Sequence, residues 1–168
     1  MPDTTPRRRR RPPRPTIGWR EWVTLPDLGV PAIKAKVDTG AATSSLHAWN
    51  VTDGPPGPDD QPTLQFVLHP VQRDASQQIE VVAPLAGWRK VRSSNGQVEE
   101  RPVIATTIAL GEHIVPIEVT LTHRDEMGFR MLLGRAALRR RFLVDPGRSF
   151  LTRGPDADDD PADKVARP

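Results

Sequence analysis

Ile33-Lys34-Ala35-Lys36-Val37-Asp38-Thr39-Gly40-Ala41-Ala42-Thr43-Ser44 changes character halfway along. Over Ile33–Val37 apolar and charged residues alternate, the period-two pattern of a strand with one face buried and its lysines in water. Asp38 then stands at the strand end, on a tight turn of Thr, Gly and Ala. A carboxylate-driven hydrolase needs this arrangement. Its carboxylate must sit at a strand end held by backbone N–H groups, and the glycine lets a partner backbone approach closely. The neighbouring hydroxyl can bond across to keep the site rigid. Taken alone, D-T-G is a three-residue match that an ordinary Asx-type turn at a strand end also produces.

A second segment agrees with the first. Met131-Leu132-Leu133-Gly134-Arg135 is an apolar strand ending in glycine and then arginine, ahead of a short helix over Arg135–Arg141. Between the two lie further strand-like runs at Ser44–Val51, Leu64–His69, Ile79–Leu85, Trp88–Arg92 and Val98–Leu110, with Ile17–Leu25 upstream. Asn95-Gly96 between extended segments predicts a hairpin with a type I′ turn. Gly111-Glu112 predicts a second, joining Val103–Leu110 to Ile114–Leu121. Asp53–Pro62 (DGPPGPDDQP) cannot continue a sheet and reads as a surface loop. Many short strands with turn punctuation predict an all-β domain, a small closed or partly closed barrel.

Composition narrows the chemistry. The chain has 168 residues, 19 prolines and no cysteine. That excludes disulfides, cysteine-ligated zinc, iron–sulfur clusters and a thiol nucleophile. Its net charge of +3 is unevenly spread. Arg7–Arg11 and Arg14 crowd the head, five aspartates crowd the tail, and residues 15–152 balance to zero. The expected organisation is an Arg/Pro-rich disordered arm over 1–15, a domain over 16–152 and an acidic disordered tail over 153–168. Arg7–Arg14 could serve as an electrostatic arm for nucleic acid, but no aromatic residue lies among them to stack on bases. No apolar run approaches the roughly 20 residues that span a bilayer. Prolines follow the arginines where a signal peptide would need an apolar stretch. A soluble, cytoplasmic protein without membrane contact is expected. His47, His69, His113 and His123 are scattered without ligand spacing, no phosphate loop is present, and Ser44 and Ser45 lack an elbow motif. Neither metal nor cofactor is expected.

The order D-T-G loop, hairpin, apolar-Gly strand and short helix resembles the retroviral-type aspartic proteases, the retropepsins. The resemblance is closer to one bacterial and archaeal family. Residues 18–28 (GWREWVTLPDL), 33–48, 92–104 (RSSNGQVEERPVI) and 129–135 (FRMLLGR) look like the RimK-associated retropepsin-like peptidases, also labelled ATP-dependent zinc proteases. It covers residues 16–152. It implies an aspartic endopeptidase on a small closed β-barrel, with a flap hairpin over Ser93–Val98 that includes Ser94, Asn95 and Gly96. Glu99, Glu100 and Arg101 lie on its descending arm.

Such enzymes share one proton between two facing carboxylates. This chain has one D-T-G, and Asp145-Pro146-Gly147 reads better as a turn. Two copies of Asp38 are therefore expected to meet across the two-fold axis of a homodimer. Thr39 would bind across that axis, Gly40 would face substrate or the partner loop, and Ala41 is the small residue expected next. Leu133 and Gly134 would support the loop, and Arg135 would fix it through a carboxylate such as Asp145. The family context implies an extended peptide substrate, an oligoglutamate tail on a small-subunit ribosomal protein. The competing readings are a peptide-binding barrel without turnover and, from the family label, a zinc protease.

Overall fold

The computed structural model describes residues 12–72, 74–93, 95–123 and 128–152. Most of the arginine arm, the flap residue Ser94 and the acidic tail lie outside the described residues. Within them are eleven strands and one short helix: β1 (Thr16–Gly18), β2 (Arg20–Leu25), β3 (Val30–Asp38), β4 (Ser44–His47), β5 (Trp49–Asp53), β6 (Thr63–Leu68), β7 (Ile79–Arg92), β8 (Val98–Leu110), β9 (His113–Thr122), β10 (Met131–Gly134), α1 (Arg135–Leu138) and β11 (Leu143–Asp145). The fold is all-β, as the turn-punctuated sequence predicts. No helix among the described residues is long and apolar enough to cross a membrane.

One sheet runs β2-β3-β10-β4-β9-β8-β7-β6-β5, and a further β2–β8 pairing at Thr24 and Ala109 closes six of its strands into a ring. The length of β8 makes this closure possible. Its first half pairs with β7 as far as Ile104, which leaves the same edge free for β2 further on. Inward residues such as Ile33, Ala35, Leu46, Ile104, Ile108, Val119, Met131 and Leu133 fill the ring. β1 and β11 form a separate parallel pair.

Several boundaries differ from the sequence reading, each for a local reason. Ile17–Leu25 is broken at Trp19, because β1 belongs to the two-stranded sheet and β2 to the ring. Ser44–Val51 likewise divides at Ala48, β4 pairing with β9 and β5 with β6. Conversely, Ile79–Leu85 and Trp88–Arg92 are one strand. A register shift between Leu85 and Gly87, where Gly87 has φ 149°, bends the strand without ending it. The helix stops at Leu138, not Arg141. Arg140 takes a positive φ of 65°, and this turn returns Phe142 to the core beside Leu138.

The alternation in β3 holds for Ile33, Ala35 and Val37, but Lys34 is buried instead of solvated. Its ammonium lies 5.2 Å from the Trp22 ring and 5.7 Å from Phe150. The chain after β11 runs back over β2 and covers this face, Phe150 N–H donating to the Arg20 carbonyl at 3.0 Å. Glu21, 0% exposed, fastens that return. Its Oε1 accepts the N–H groups of Gly18 (2.6 Å) and Leu151 (2.9 Å), and its Oε2 accepts the N–H (3.2 Å) and hydroxyl (2.8 Å) of Thr152.

Candidate active site

The end of β3 meets the end of β10. The two strands are parallel, and their ladder sets Leu133 beside Val37 and Gly134 beside Asp38. β4 flanks β10 on its other edge. The two segments singled out in the sequence are thus neighbours in space, with the turn Thr39–Thr43 looping over the glycine.

Backbone amides hold the carboxylate. Asp38 Oδ1 accepts the N–H groups of Gly40 at 2.9 Å and Ala41 at 3.1 Å. Oδ2 accepts nothing from the described residues. Thr39 and Gly40 are exposed at the tip of the turn. The opening of α1 ties the turn from below, where Arg135 N–H donates to the Ala41 carbonyl at 2.7 Å and Ala136 N–H to that of Ala42 at 3.1 Å.

Arg135 does fix the loop, but not through Asp145. Its Nη1 donates to the carbonyls of Thr39 (3.0 Å) and Gly40 (3.4 Å). Asp145 is consumed by its own turn. The Arg148 side chain at 2.8 Å and the Gly147 N–H at 2.9 Å hold its carboxyl below the usual range. Ser44, which the sequence offered only as a rejected nucleophile, is a buried brace. Its hydroxyl accepts the Gly134 N–H at 3.0 Å, and its carbonyl accepts the Thr120 hydroxyl at 3.3 Å.

Gly134 has no room for a side chain, since a Cβ there would come within 2.3 Å of the Thr43 carbonyl group. Gly134→Ala is therefore expected to destabilise the fold by about 3 kcal/mol, the upper range for overpacking. It should also displace the Asp38 turn. Urea unfolding of the variant measures the first effect, and an unchanged midpoint would refute the crowding.

A cavity of about 500 Å³ opens over Asp38. Gly40, Ala41, Ala42 and Thr43 form one wall, Thr120 and Thr122 another, and Arg89–Ser93 with Arg101 line it from the β7–β8 hairpin. Five cations border it (Arg89, Lys90, Arg92, Arg101 and Arg130), against the single carboxylate of Asp38. A second cavity of about 280 Å³ continues from it, sharing Thr43 and Arg89 and adding Glu118 and Arg141.

The hairpin tip departs from the expected two-residue turn. Ser93 N–H donates to the Gln97 carbonyl at 2.8 Å, and Gly96 N–H to that of Ser93 at 2.9 Å. Only Gly96, at φ 82°, takes a positive φ of the two residues Asn95 and Gly96. Three residues, not two, separate the closing pair, so glycine alone needs the left-handed conformation. Asn95 instead accepts the Gln97 N–H at 3.3 Å through its side chain.

The histidines are less scattered than their spacing indicates. Around Trp49 lie His47 at 3.9 Å, His69 at 4.3 Å and His123 at 6.2 Å between ring centroids, with the Arg130 guanidinium 4.7 Å from the indole. His113 stands apart, against Phe142. Three strand ends deliver the cluster, so no sequence interval announces it. Among the described residues no group of three or more His, Asp or Glu side chains is placed to hold a metal ion. The zinc of the family label therefore finds no donor set there.

Comparison with known proteins bears on the family and the fold. A family model described as RimB-like, retropepsin-like aspartic endopeptidase RimB, matches residues 16–155. A protein from Shewanella halifaxensis named probable alpha-L-glutamate ligase is 48% identical over 134 residues, which cover 80% of this chain and 29% of that protein. One of the same name from Parasynechococcus marenigrum is 52% identical over 130 residues, covering 77% and 28%. The chain thus spans less than a third of the length of these relatives. The crystal structure of a protein of unknown function from Legionella pneumophila superposes with a TM-score of 0.68 at 31% identity, covering 83% of this chain and 98% of that one.

Proposed function

Because the chain belongs to the RimB-like family of retropepsin-like aspartic endopeptidases, we propose that it hydrolyses peptide bonds as a homodimer and that its substrate is an extended acidic tail. The observation that carries this reading is Asp38. Its carboxylate sits at a strand end, one oxygen held by two amides and the other unengaged among the described residues, at the floor of a cation-bordered cavity.

One such carboxylate is half of a catalytic pair. When a second Asp38 comes up across a two-fold axis, the pair holds one proton between them, because two like charges at contact cannot both persist. The ionised partner takes a proton from water as the water attacks the scissile carbonyl, and the protonated partner donates to the carbonyl oxygen. Thr39 and Gly40, exposed beside Asp38, meet the partner loop. Arg135 keeps that loop in shape through its carbonyls.

The hairpin, with Asn95 and Gly96 at its tip, closes over a substrate that lies in the groove as an added strand, where closure excludes water. The surplus of cations favours carboxylate-rich chains. The relatives' name, which concerns glutamate ligation, supports oligoglutamate as the acidic sequence. A ribosomal protein is the proposed bearer of that tail, which would place the work in the cytoplasm.

The test is the dependence of cleavage on chain concentration. Specific activity on an oligoglutamate-tailed peptide should rise as sedimentation shows dimers forming, and chelators should not diminish it. Full activity from a monomer would overturn the dyad, and binding without cleavage at any pH from about 4 to 8, the range around an acid–base pair, would make the protein a peptide-binding module.

A further inference from the structure

Two arginines oppose each other on the hairpin that borders the cavity. Arg89 on β7 is the register partner of Arg101 on β8, so both side chains leave the sheet on the same face. Like charges placed directly opposite are unfavourable unless something neutralises them. Each has its own glutamate. Arg101 donates from Nε (3.1 Å) and Nη2 (3.0 Å) to a single oxygen of Glu99. Arg89 donates from Nη2 to Glu118 at 2.7 Å, a reach from β7 across β8 to β9.

The pairs are unequal in a way that matters. Arg101 is largely buried, its side chain 10% exposed, and lines the main cavity, while the Glu99 side chain is 43% exposed and does not line it. Glu118, 54% exposed, borders only the second cavity. Arg101 is thus a fixed part of the groove, Arg89 with its side chain 39% exposed stands at its border, and the carboxylates that occupy them stand at the solvent edge. Ion pairs with so exposed a partner are held weakly and exchange readily.

We propose that Glu99 and Glu118 are resident stand-ins for substrate carboxylates, and that Arg101 and Arg89 are the residues that select an acidic chain. An incoming run of carboxylates displaces the two glutamates into water and takes over their guanidinium groups. An extended peptide turns every second side chain to one face, so a glutamate run presents a carboxylate in whichever register it enters. A lone acidic residue replaces one stand-in and gains little, whereas a run replaces both. The resident carboxylates also keep the arginines neutralised while no chain is bound, so isolated anions occupy them little.

This inference rests on the acidic-tail reading, and its experiment separates the two. Binding of an eight-residue oligoglutamate, its glutamine counterpart and a peptide with one glutamate is measured by fluorescence anisotropy on the full chain carrying Asp38→Asn, which prevents turnover. Oligoglutamate should bind best. Adding Glu99→Gln and Glu118→Gln should tighten its binding about three- to tenfold, the scale of a weak exposed pair. The same changes should raise the one-glutamate peptide by a smaller factor, because it displaces one resident where the run displaces two. Arg101→Gln should weaken oligoglutamate binding whether or not the glutamates are present.

If oligoglutamate binds no better than its glutamine counterpart, the acidic-tail reading fails and the inference with it. If it binds better but the glutamate changes leave its affinity unaltered or reduce it, the inference alone fails, and Glu99 and Glu118 are braces of the sheet. Should the double change impair folding, which thermal unfolding reports, Glu118→Gln alone, at an exposed strand position, separates the same outcomes.

Discussion

Asp38→Asn should reduce peptide-bond hydrolysis by about 10³-fold or more while leaving the fold intact. General acid–base groups contribute about 10²–10⁴-fold each. In a homodimer one substitution removes both the base and the acid, because both roles fall on the same residue number. The amide oxygen of asparagine can still accept the Gly40 and Ala41 N–H groups, so the turn keeps its shape. The shareable proton is what disappears. Thermal unfolding should therefore match the wild type, and kcat/KM should collapse through kcat. Mixing mutant with wild-type chains adds a second readout. If both aspartates of a dimer are required, activity falls as the square of the wild-type fraction, since mixed dimers are dead. A linear decline would mean that each chain works alone.

The second large effect is on stability. Glu21→Ala should cost about 3–5 kcal/mol, because it leaves one buried and three part-buried donors without their acceptor. Three N–H groups and a hydroxyl lose their acceptor together, and each buried donor left unsatisfied costs about 1–3 kcal/mol. Against a typical total of about 5–15 kcal/mol, that brings a domain of this size close to unfolding. Urea titration should show a lowered midpoint with little change in slope. Amide exchange at Leu151 and Thr152 should accelerate even where the rest of the ring persists. A loss below about 1 kcal/mol, the worth of an ordinary net hydrogen bond, would mean that water replaces the carboxylate without penalty.

These two residues mark what a sequence reveals and what it withholds. Asp38 is legible because its signals are local, an alternating strand followed by a glycine turn, and because Gly134 repeats the message downstream. The hairpins are legible for the same reason, although three residues between Ser93 and Gln97 altered the turn type. Glu21 looks like any strand glutamate, because its acceptor role depends on residues 130 positions away. Lys34 misleads in the same manner, reading as a solvated lysine until Trp22 and Phe150 cover it. Arg135 shows a different blindness. Charge-pair reasoning looks for a carboxylate, whereas the guanidinium bonds to backbone carbonyls that every residue possesses. The His47, His69 and His123 cluster has no linear trace, being assembled from the ends of separate strands.

The Glu21 carboxylate also holds together the places where the chain enters and leaves the barrel. Gly18 near the start and Leu151 near the end donate to the same oxygen, and β1 runs beside β11 a residue or two away. A unit whose two doors adjoin can be set into a longer polypeptide as a cassette, because neither neighbour must be pulled across its body to connect. In two relatives the matching stretch makes up 28–29% of a larger protein.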